Sequence, residues 1–105
     1  MIAMLDASRN MGRSHMVRLF VRHKVSNYAK WRKAYDAFGK ERPAMGVLGQ
    51  AVFRSTDDRN DVTVWHDFAT TRKAKAFASS EKLKAAMRAA GVRGAPKIWF
   101  TTETS

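Results

Sequence analysis

The chain has 105 residues, the size of one compact domain, and 45% of them are hydrophobic, which is enough to form a core. It contains no cysteine, which excludes disulfides, thiolate metal sites and cysteine nucleophiles. The formal net charge of +11 lies mainly on the first predicted strand and the two predicted helical regions. Such a charge attracts anionic partners in general, but it identifies neither a fold nor a site.

Residues 1–15 show no sustained periodicity, and we expect them to form a poorly ordered extension of a single domain over 16–105. Their apolar patch is about four residues long and is interrupted by Asp6, so it does not resemble a secretory signal. No run approaches the roughly 20 apolar residues that span a bilayer. We therefore expect no membrane association and a cytoplasmic location.

The first predicted elements are a strand and a helix. Residues 16–25 alternate between two faces, which predicts a strand. Ser26 is the predicted N-cap of the helix, because its hydroxyl can accept a hydrogen bond from a free N–H of the first turn. Gly39 lies near the predicted end of this helix, and Pro43 is expected to stop it. The apolar stripe of the helix is aromatic: Tyr28, Trp31, Tyr35 and Phe38.

Three further strands are predicted. Residues 47–55 and 62–68 indicate a β-hairpin, because the TDDRND segment between them is rich in Asp and Asn, which stabilise turns. Residues 96–102 indicate the last strand, with Pro96 at the first position, where its missing N–H is tolerated.

A second helical region lies between the third and fourth strands. Thr70 or Thr71 is expected to cap it, and Gly91 to end it in the left-handed conformation. Ser79 and Ser80 interrupt the apolar stripe and predict a kink or a restart with a new cap. The stripe consists of Ala74, Phe77, Ala78, Leu83, Ala86, Met87 and Ala90.

The element order β-α-β-β-α-β predicts an α+β fold. Two right-handed split β-α-β units give a ferredoxin-like plait with antiparallel strand order 4-1-3-2 and both helices on one face. The other face should carry Phe20, Trp65 and Trp99. Because a large exposed aromatic patch is typical of an interface, we predict a homodimer in which two sheets pack face to face.

Three segments carry a resemblance to a known family: RHKVSNYAKWRKAYDAF, VFRSTDDRNDVTVWHDF and KAFASSEKLKAAMRAAGVRGAPKIWF. They resemble the antibiotic biosynthesis monooxygenase-like group of dimeric α+β barrels, over residues 16–102. The nearest subgroup consists of small bacterial proteins often labelled "cyclase". The resemblance implies a pocket between helices and sheet in each protomer. It also implies a range of activities, including cofactor-free oxidation of aromatic polyketides and haem degradation.

Haem degradation does not fit this chain. The resemblance implies that haem-degrading members use an Asn on the first strand, a Trp on the third strand and a His on the second helix. Only Trp65 is comparable here, since the predicted first strand has no Asn and the second helix has no His. The sequence also contains no phosphate loop, nucleophile elbow or zinc motif. We expect no metal and no cofactor.

His23 and His66 are the candidates for chemistry. Both fall on the strand faces that should meet the helices. An antiparallel register that places Leu19 opposite His66 and His23 opposite Val62 separates the two imidazoles by about 13 Å, too far to share a metal. Each is either a polar group on a pocket wall or a half-buried histidine satisfied by backbone or water. His66 is the candidate proton acceptor. It is expected to be buried in the middle of its strand, where a polar ring needs a hydrogen-bond partner.

Tyr35 and Phe68 complete the predicted pocket wall with His23 and His66. Tyr35 carries a hydroxyl that needs a partner when buried, whereas Trp31 on the same stripe is expected to pack in the core. Arg54 could bind an anion, but its residue type favours an exposed position on its strand.

Three functions remain open. The first is a cofactor-independent monooxygenase or cyclase that acts on an aromatic or polyketide-like compound. The second is a binding or accessory dimer without turnover, which a close-fitting core with no cavity would favour. The third is nucleic-acid binding, suggested by the charge and the plait. The absence of a stacking aromatic motif of the RNA-recognition type argues against it, and the predicted dimer would cover the relevant face.

Overall fold

The computed structural model describes residues 16–104, so the predicted N-terminal extension lies outside the described residues. The elements in chain order are β1 (Val17–Val25), α1 (Tyr28–Ala37), a 3-10 turn (Phe38–Lys40), α2 (Glu41–Ala44), β2 (Gly49–Arg54), β3 (Asp61–Phe68), α3 (Thr71–Ala78), α4 (Glu81–Ala89) and β4 (Val92–Thr102). Within these residues no helix combines the length and the hydropathy needed to cross a bilayer.

The four strands form one antiparallel sheet in the order β2-β3-β1-β4, which confirms the ferredoxin-like α+β plait. The register between β1 and β3 is also the predicted one, with Leu19 opposite His66 and His23 opposite Val62. The prediction assumed full overlap of the two strands, and their alternation excludes a slip by one residue, which would turn the apolar side chains of a strand to the wrong face.

The core lies between one face of the sheet and the helices. The alternate residues of β1 are buried from Val17 to Val25, and Phe77 of α3 packs against this face at 1% exposure. One cluster gathers around Leu19, Phe68 and Phe77, and a second gathers around Trp31 and Val62. The side chains that border the candidate site therefore come from the same alternation that forms the core.

The first helix begins and ends differently from the sequence prediction. Asn27, not Ser26, is the N-cap of α1, since its side chain accepts from the Lys30 N–H at 2.9 Å. The prediction that Pro43 stops the helical region is also wrong, because Pro43 lies inside α2. A proline is tolerated there because the first-turn N–H groups of a helix have no carbonyl partner within it.

The second helical region follows the prediction. Thr70 caps α3 and accepts from the Lys73 N–H at 3.2 Å, and Ser80 caps the restarted helix α4 by accepting from the Leu83 N–H at 3.2 Å. The last strand is longer than predicted, because it begins at Val92 and continues through Pro96. Its pairing with β1 is irregular opposite His23, so the proline lies at a bulge of an edge strand.

Gly91 connects α4 to β4 at a point where a side chain has no room. Its φ is +84°, and a Cβ atom there would lie 2.6 Å from the Ser26 Oγ. Gly91→Ala is therefore expected to lower the free energy of unfolding by more than the ~1–2 kcal/mol that the left-handed backbone costs alone. Urea denaturation measures this loss.

Gly94→Ala is the matched control, because Gly94 also has a positive φ, of +70°, but no atom within 4 Å of its Cβ position. The free energy of unfolding of Gly94→Ala should fall only by the amount that the left-handed backbone costs. Equal losses in the two variants would show that Ser26 moves aside without cost.

Candidate ligand site between the helices and the sheet

A cavity of about 60 Å³ lies between the helices and the buried face of the sheet. Its walls are almost entirely apolar, with a few polar side chains among them. The lining residues that matter for chemistry are His23, Trp31, Tyr35, Arg42, His66 and Phe77. A mainly apolar cavity with a few convergent polar groups is the usual form of a small-molecule site.

The cavity is small in the conformation described here. An engineered protein cavity that binds benzene has about 150 Å³, so 60 Å³ is too little for an aromatic ring unless a wall moves. The wall best suited to move is α4, which contributes Leu83 and Met87 but contains no fully buried residue. Met side chains adapt their shape readily, so an outward shift of α4 would enlarge the cavity at low cost.

His23 and His66 are buried without hydrogen-bond partners. Their side chains are 6% and 5% exposed, and no described residue bonds to either ring nitrogen of either imidazole. The pKa of both histidines is lowered to about 4; burial is the main cause for each, and the positive charge of Arg42 contributes to the shift of His66. Both imidazoles are therefore neutral at pH 7, and each presents one unused acceptor and one unused donor.

A row of aromatic rings connects the two histidines, with Trp31 and Tyr35 stacked and the other pairs tilted. The ring of Trp31 lies 5.7 Å from His23 and 4.9 Å from Tyr35, and Tyr35 lies 6.2 Å from His66. His66 in turn contacts Phe77 at 5.0 Å. These contacts form an aromatic wall on which a planar ligand could stack.

The Tyr35 hydroxyl oxygen is a fifth unpartnered polar atom, after the four imidazole nitrogens. It is buried and makes no hydrogen bond with the described residues. Burial raises the pKa of Tyr35 above its usual value, so the hydroxyl stays protonated at neutral pH and can donate. Five unpartnered polar atoms on three residues that line one cavity are costly to the fold, and polar groups of a bound ligand would offer them partners.

Arg42 is a cavity residue that the sequence analysis missed. It is 5% exposed, and its guanidinium lies 3.9 Å above the Tyr35 ring. Its Nε donates to the Gln50 side chain at 3.1 Å and its Nη1 to the Tyr35 carbonyl at 2.7 Å. The segment KERPAMG around it has no apolar periodicity, so no pattern in the sequence marks this residue as buried.

Two predicted candidates lie away from the cavity. Phe68 is fully buried and packs against Phe77 at 5.3 Å, so it supports the cavity wall without lining it. The Arg54 guanidinium stacks on Tyr28 at 3.7 Å, and its Nε donates to the Arg59 carbonyl. His23, Tyr35 and His66, in contrast, all line the cavity.

The face of the sheet opposite the helices carries Phe20, Trp65 and Trp99 in one row. Phe20 pairs with Trp65 on β3 and with Trp99 on β4, and it stacks on Trp99 at 5.2 Å. The Arg18 guanidinium covers Trp65 at 3.6 Å, while Trp99 remains 42% exposed. Phe53, further along β2, is 53% exposed.

Ion pairs flank this aromatic row. Arg18 binds Asp67 through two hydrogen bonds of 2.8 and 2.9 Å, and Arg22 binds Asp61 through two of 3.1 and 2.6 Å.

Among the residues that the structure describes, no cluster of three or more His, Asp or Glu side chains is placed to hold a metal ion.

Solved structures share this fold along nearly the whole chain. One is a protein from Caulobacter crescentus that is named as an antibiotic biosynthesis monooxygenase. It is 21% identical to this chain, with a TM-score of 0.70, over 94% of this chain and 99% of the other. SnoaB, a cofactor-independent oxygenase from Streptomyces nogalater, has 12% identity and a TM-score of 0.71 over 87% and 95%. A conserved protein from Methanosarcina mazei has 9% identity and a TM-score of 0.74 over 90% and 99%.

These comparisons confirm the resemblance that the sequence indicated, because proteins that carry the family's name have the same fold. At such low identity they establish the fold alone, and reaction and substrate do not follow from it. No protein-family model and no curated protein matches the chain.

Proposed function

We propose that the protein binds an aromatic, polyketide-like small molecule in the cavity between the helices and the sheet, and that it oxygenates this compound without a cofactor. The observation that carries the proposal is the set of five unpartnered polar atoms of His23, Tyr35 and His66 on one apolar cavity. A fold shared with a cofactor-independent oxygenase supports the reaction class.

His66 is the proposed proton acceptor. Its neutral ring takes a proton from a CH₂ group that neighbouring phenol or carbonyl groups have made acidic. The carbanion transfers one electron to O₂, and the two radicals combine to a hydroperoxide, which loses water to leave a carbonyl. The balance is R₂CH₂ + O₂ → R₂C=O + H₂O, in which the substrate loses four electrons and O₂ gains them.

The environment of His66 makes it a weak base until a ligand binds. With a pKa of about 4 the imidazole holds a proton poorly, and an anion formed beside it would raise that pKa. The imidazolium and the enolate would therefore stabilise each other, and the apolar wall would strengthen their attraction by excluding water.

A dimer is the assembly that we propose for this function. The row of Phe20, Trp65 and Trp99 is exposed on the face that the helices do not cover. A second copy would present the same row to it, and flanking Arg–Asp pairs could form a polar rim around the contact.

A second candidate function is ligand binding without turnover. The observation that favours it is the cavity volume of about 60 Å³, which leaves no space for both a polycyclic substrate and O₂ unless α4 moves. A cyclase activity stays a prediction that needs the same enlargement of the cavity.

A hydroxyanthrone in air-saturated buffer tests the reaction, because its activated CH₂ group gives a quinone that absorbs visible light. His66→Ala is expected to lower the rate of O₂ uptake by about 100-fold or more, since general base catalysis contributes at least that much. Arg54→Gln is the control, because Arg54 lies outside the cavity, and it should keep the wild-type rate.

Two outcomes separate the candidates. Binding of the anthrone with no O₂ uptake by the wild-type protein would favour the accessory function. Full activity and full binding in His66→Ala would show that His66 is not part of the site.

A further inference from the structure

We propose that Arg42 binds a carboxylate group of the ligand, so that the molecules this cavity selects are aromatic acids. The inference rests on the proposed function in one respect, namely that the cavity holds a small molecule. It adds the charge and the chemical class of that molecule.

Arg42 is a buried cation without a counter-charge. Its side chain is 5% exposed, and no Asp or Glu among residues 16–104 forms an ion pair with it. A buried charge that lacks a partner destabilises the folded state, and a methionine would fill a similar volume without that cost. The charge therefore requires a reason other than packing.

Most of the hydrogen-bonding capacity of Arg42 is unused. A guanidinium has five N–H groups, and here one Nε–H donates to the Gln50 side chain and one Nη1–H to the Tyr35 carbonyl. No hydrogen bond from the other three N–H groups, which include both on Nη2, is made to a side chain or carbonyl of residues 16–104. Two parallel N–H groups match the two oxygens of a carboxylate, which is the strongest pairing available to arginine.

The remainder of the cavity supplies no negative charge. Arg42 is the only Lys, Arg, Asp or Glu among its lining residues, and the two histidines are neutral at pH 7. The resting cavity therefore carries one uncompensated positive charge beside an aromatic wall. A ligand with one carboxylate and one flat ring complements both features.

A structural role for Arg42 is the competing explanation. Its two hydrogen bonds connect the last turn of α1 to the Gln50 side chain on β2, which would stabilise the loop between them. The hydrogen bonds need only neutral donors, and the Tyr35 ring that attracts the guanidinium supplies no counter-ion. The two explanations differ in one measurable property: only a binding role predicts a preference for charged ligands.

Benzoate and benzamide are the probes, because they have nearly the same shape and differ in charge. Each is titrated into ¹⁵N-labelled protein at pH 7.5, and the amide shifts of Tyr35, Val64 and His66 report occupation of the cavity. Benzoate is expected to bind at least about tenfold more tightly than benzamide, because a hydrogen bond to a charged group is worth that much.

Arg42→Met is expected to abolish this preference, so that the variant binds benzoate no more tightly than benzamide. Arg32→Met is the matched control, since Arg32 also lies over the Tyr35 ring, at 5.4 Å, but outside the cavity and paired with Asp36. It should keep the benzoate preference. Arg42→Lys retains the positive charge but lacks the two parallel N–H groups of the guanidinium. It should therefore reduce the benzoate preference without abolishing it.

The outcomes distinguish this inference from the proposed function. Equal affinities of benzoate and benzamide in the wild-type protein would overturn the role of Arg42 and leave the cavity as a ligand site. Benzoate shifts confined to the basic helix surfaces would also overturn it. If neither probe nor phenol shifts the cavity amides, both proposals fail. The wild-type ratio decides the matter even if Arg42→Met does not fold.

Discussion

Replacing Trp99 with glutamate is expected to halve the mass of the protein in solution, to the 11.9 kDa of one chain. In the proposed dimer, Trp99 and its stacking partner Phe20 lie at the centre of the contact between two sheets. A carboxylate there would have to be buried without a partner. The loss of a central aromatic contact costs at least about 2 kcal/mol, or roughly 30-fold in Kd, before that burial is counted.

Ile98→Glu is the matched control for this substitution. Ile98 neighbours Trp99 on β4 and is 40% exposed, against 42% for Trp99, but it projects from the opposite face of the sheet. It should leave the dimer intact. Light scattering at micromolar concentration gives the mass, and an unchanged far-UV circular dichroism spectrum shows that the chain is folded. A wild-type mass of one chain would overturn the proposed dimer.

Acidification from pH 7 to pH 4 is expected to remove about 3 kcal/mol of folding free energy for each of His23 and His66. Their folded-state pKa is about 4, below the 6.5 of an exposed histidine, because burial disfavours the charged ring. The unfolded chain therefore binds more protons than the folded one throughout this range. Stability is complete above pH 6.5 and is lost as the pH falls towards 4.

The two contributions can be separated from each other and from the carboxylates. His66→Phe is expected to remove about half of the loss, and His23→Phe the other half, in urea denaturation at pH 7, 5.5 and 4. The hydrogen bond with Arg22 holds the folded-state pKa of Asp61 below its ordinary 3.8, so the contribution of Asp61 is lost mainly as the pH falls below that value. An unchanged pH dependence in His66→Phe would show that its imidazole is not held neutral by burial.

The alternation of apolar residues was sufficient to predict the sheet. In residues 17–25 and 62–68 every second side chain is buried, and a register shift by one residue would put the two sets on opposite faces. His23 and His66 fall within these alternating sets, so their placement on the helix side followed from the sequence. Their wide separation along the strands followed only with the further assumption that the two strands overlap fully, which the structure confirms.

Other features of the site depend on contacts between segments that are distant or irregular. Ser26 and Asn27 are both good capping residues, and the turn out of β1 decides which one caps α1. Arg42 lies in a stretch without periodicity, so its burial beneath Tyr35 depends on how the chain reverses between α1 and β2.

The sequence by itself determined the element order and the two faces of the sheet, because these depend on a period of two or of 3.6 that can be counted along the chain. Only the tertiary structure decided the size of the cavity, the isolation of its imidazoles and the presence of a buried arginine on its wall. Cavity volume and hydrogen-bond partners are set by side chains from separate elements, and no local pattern specifies how closely those elements approach.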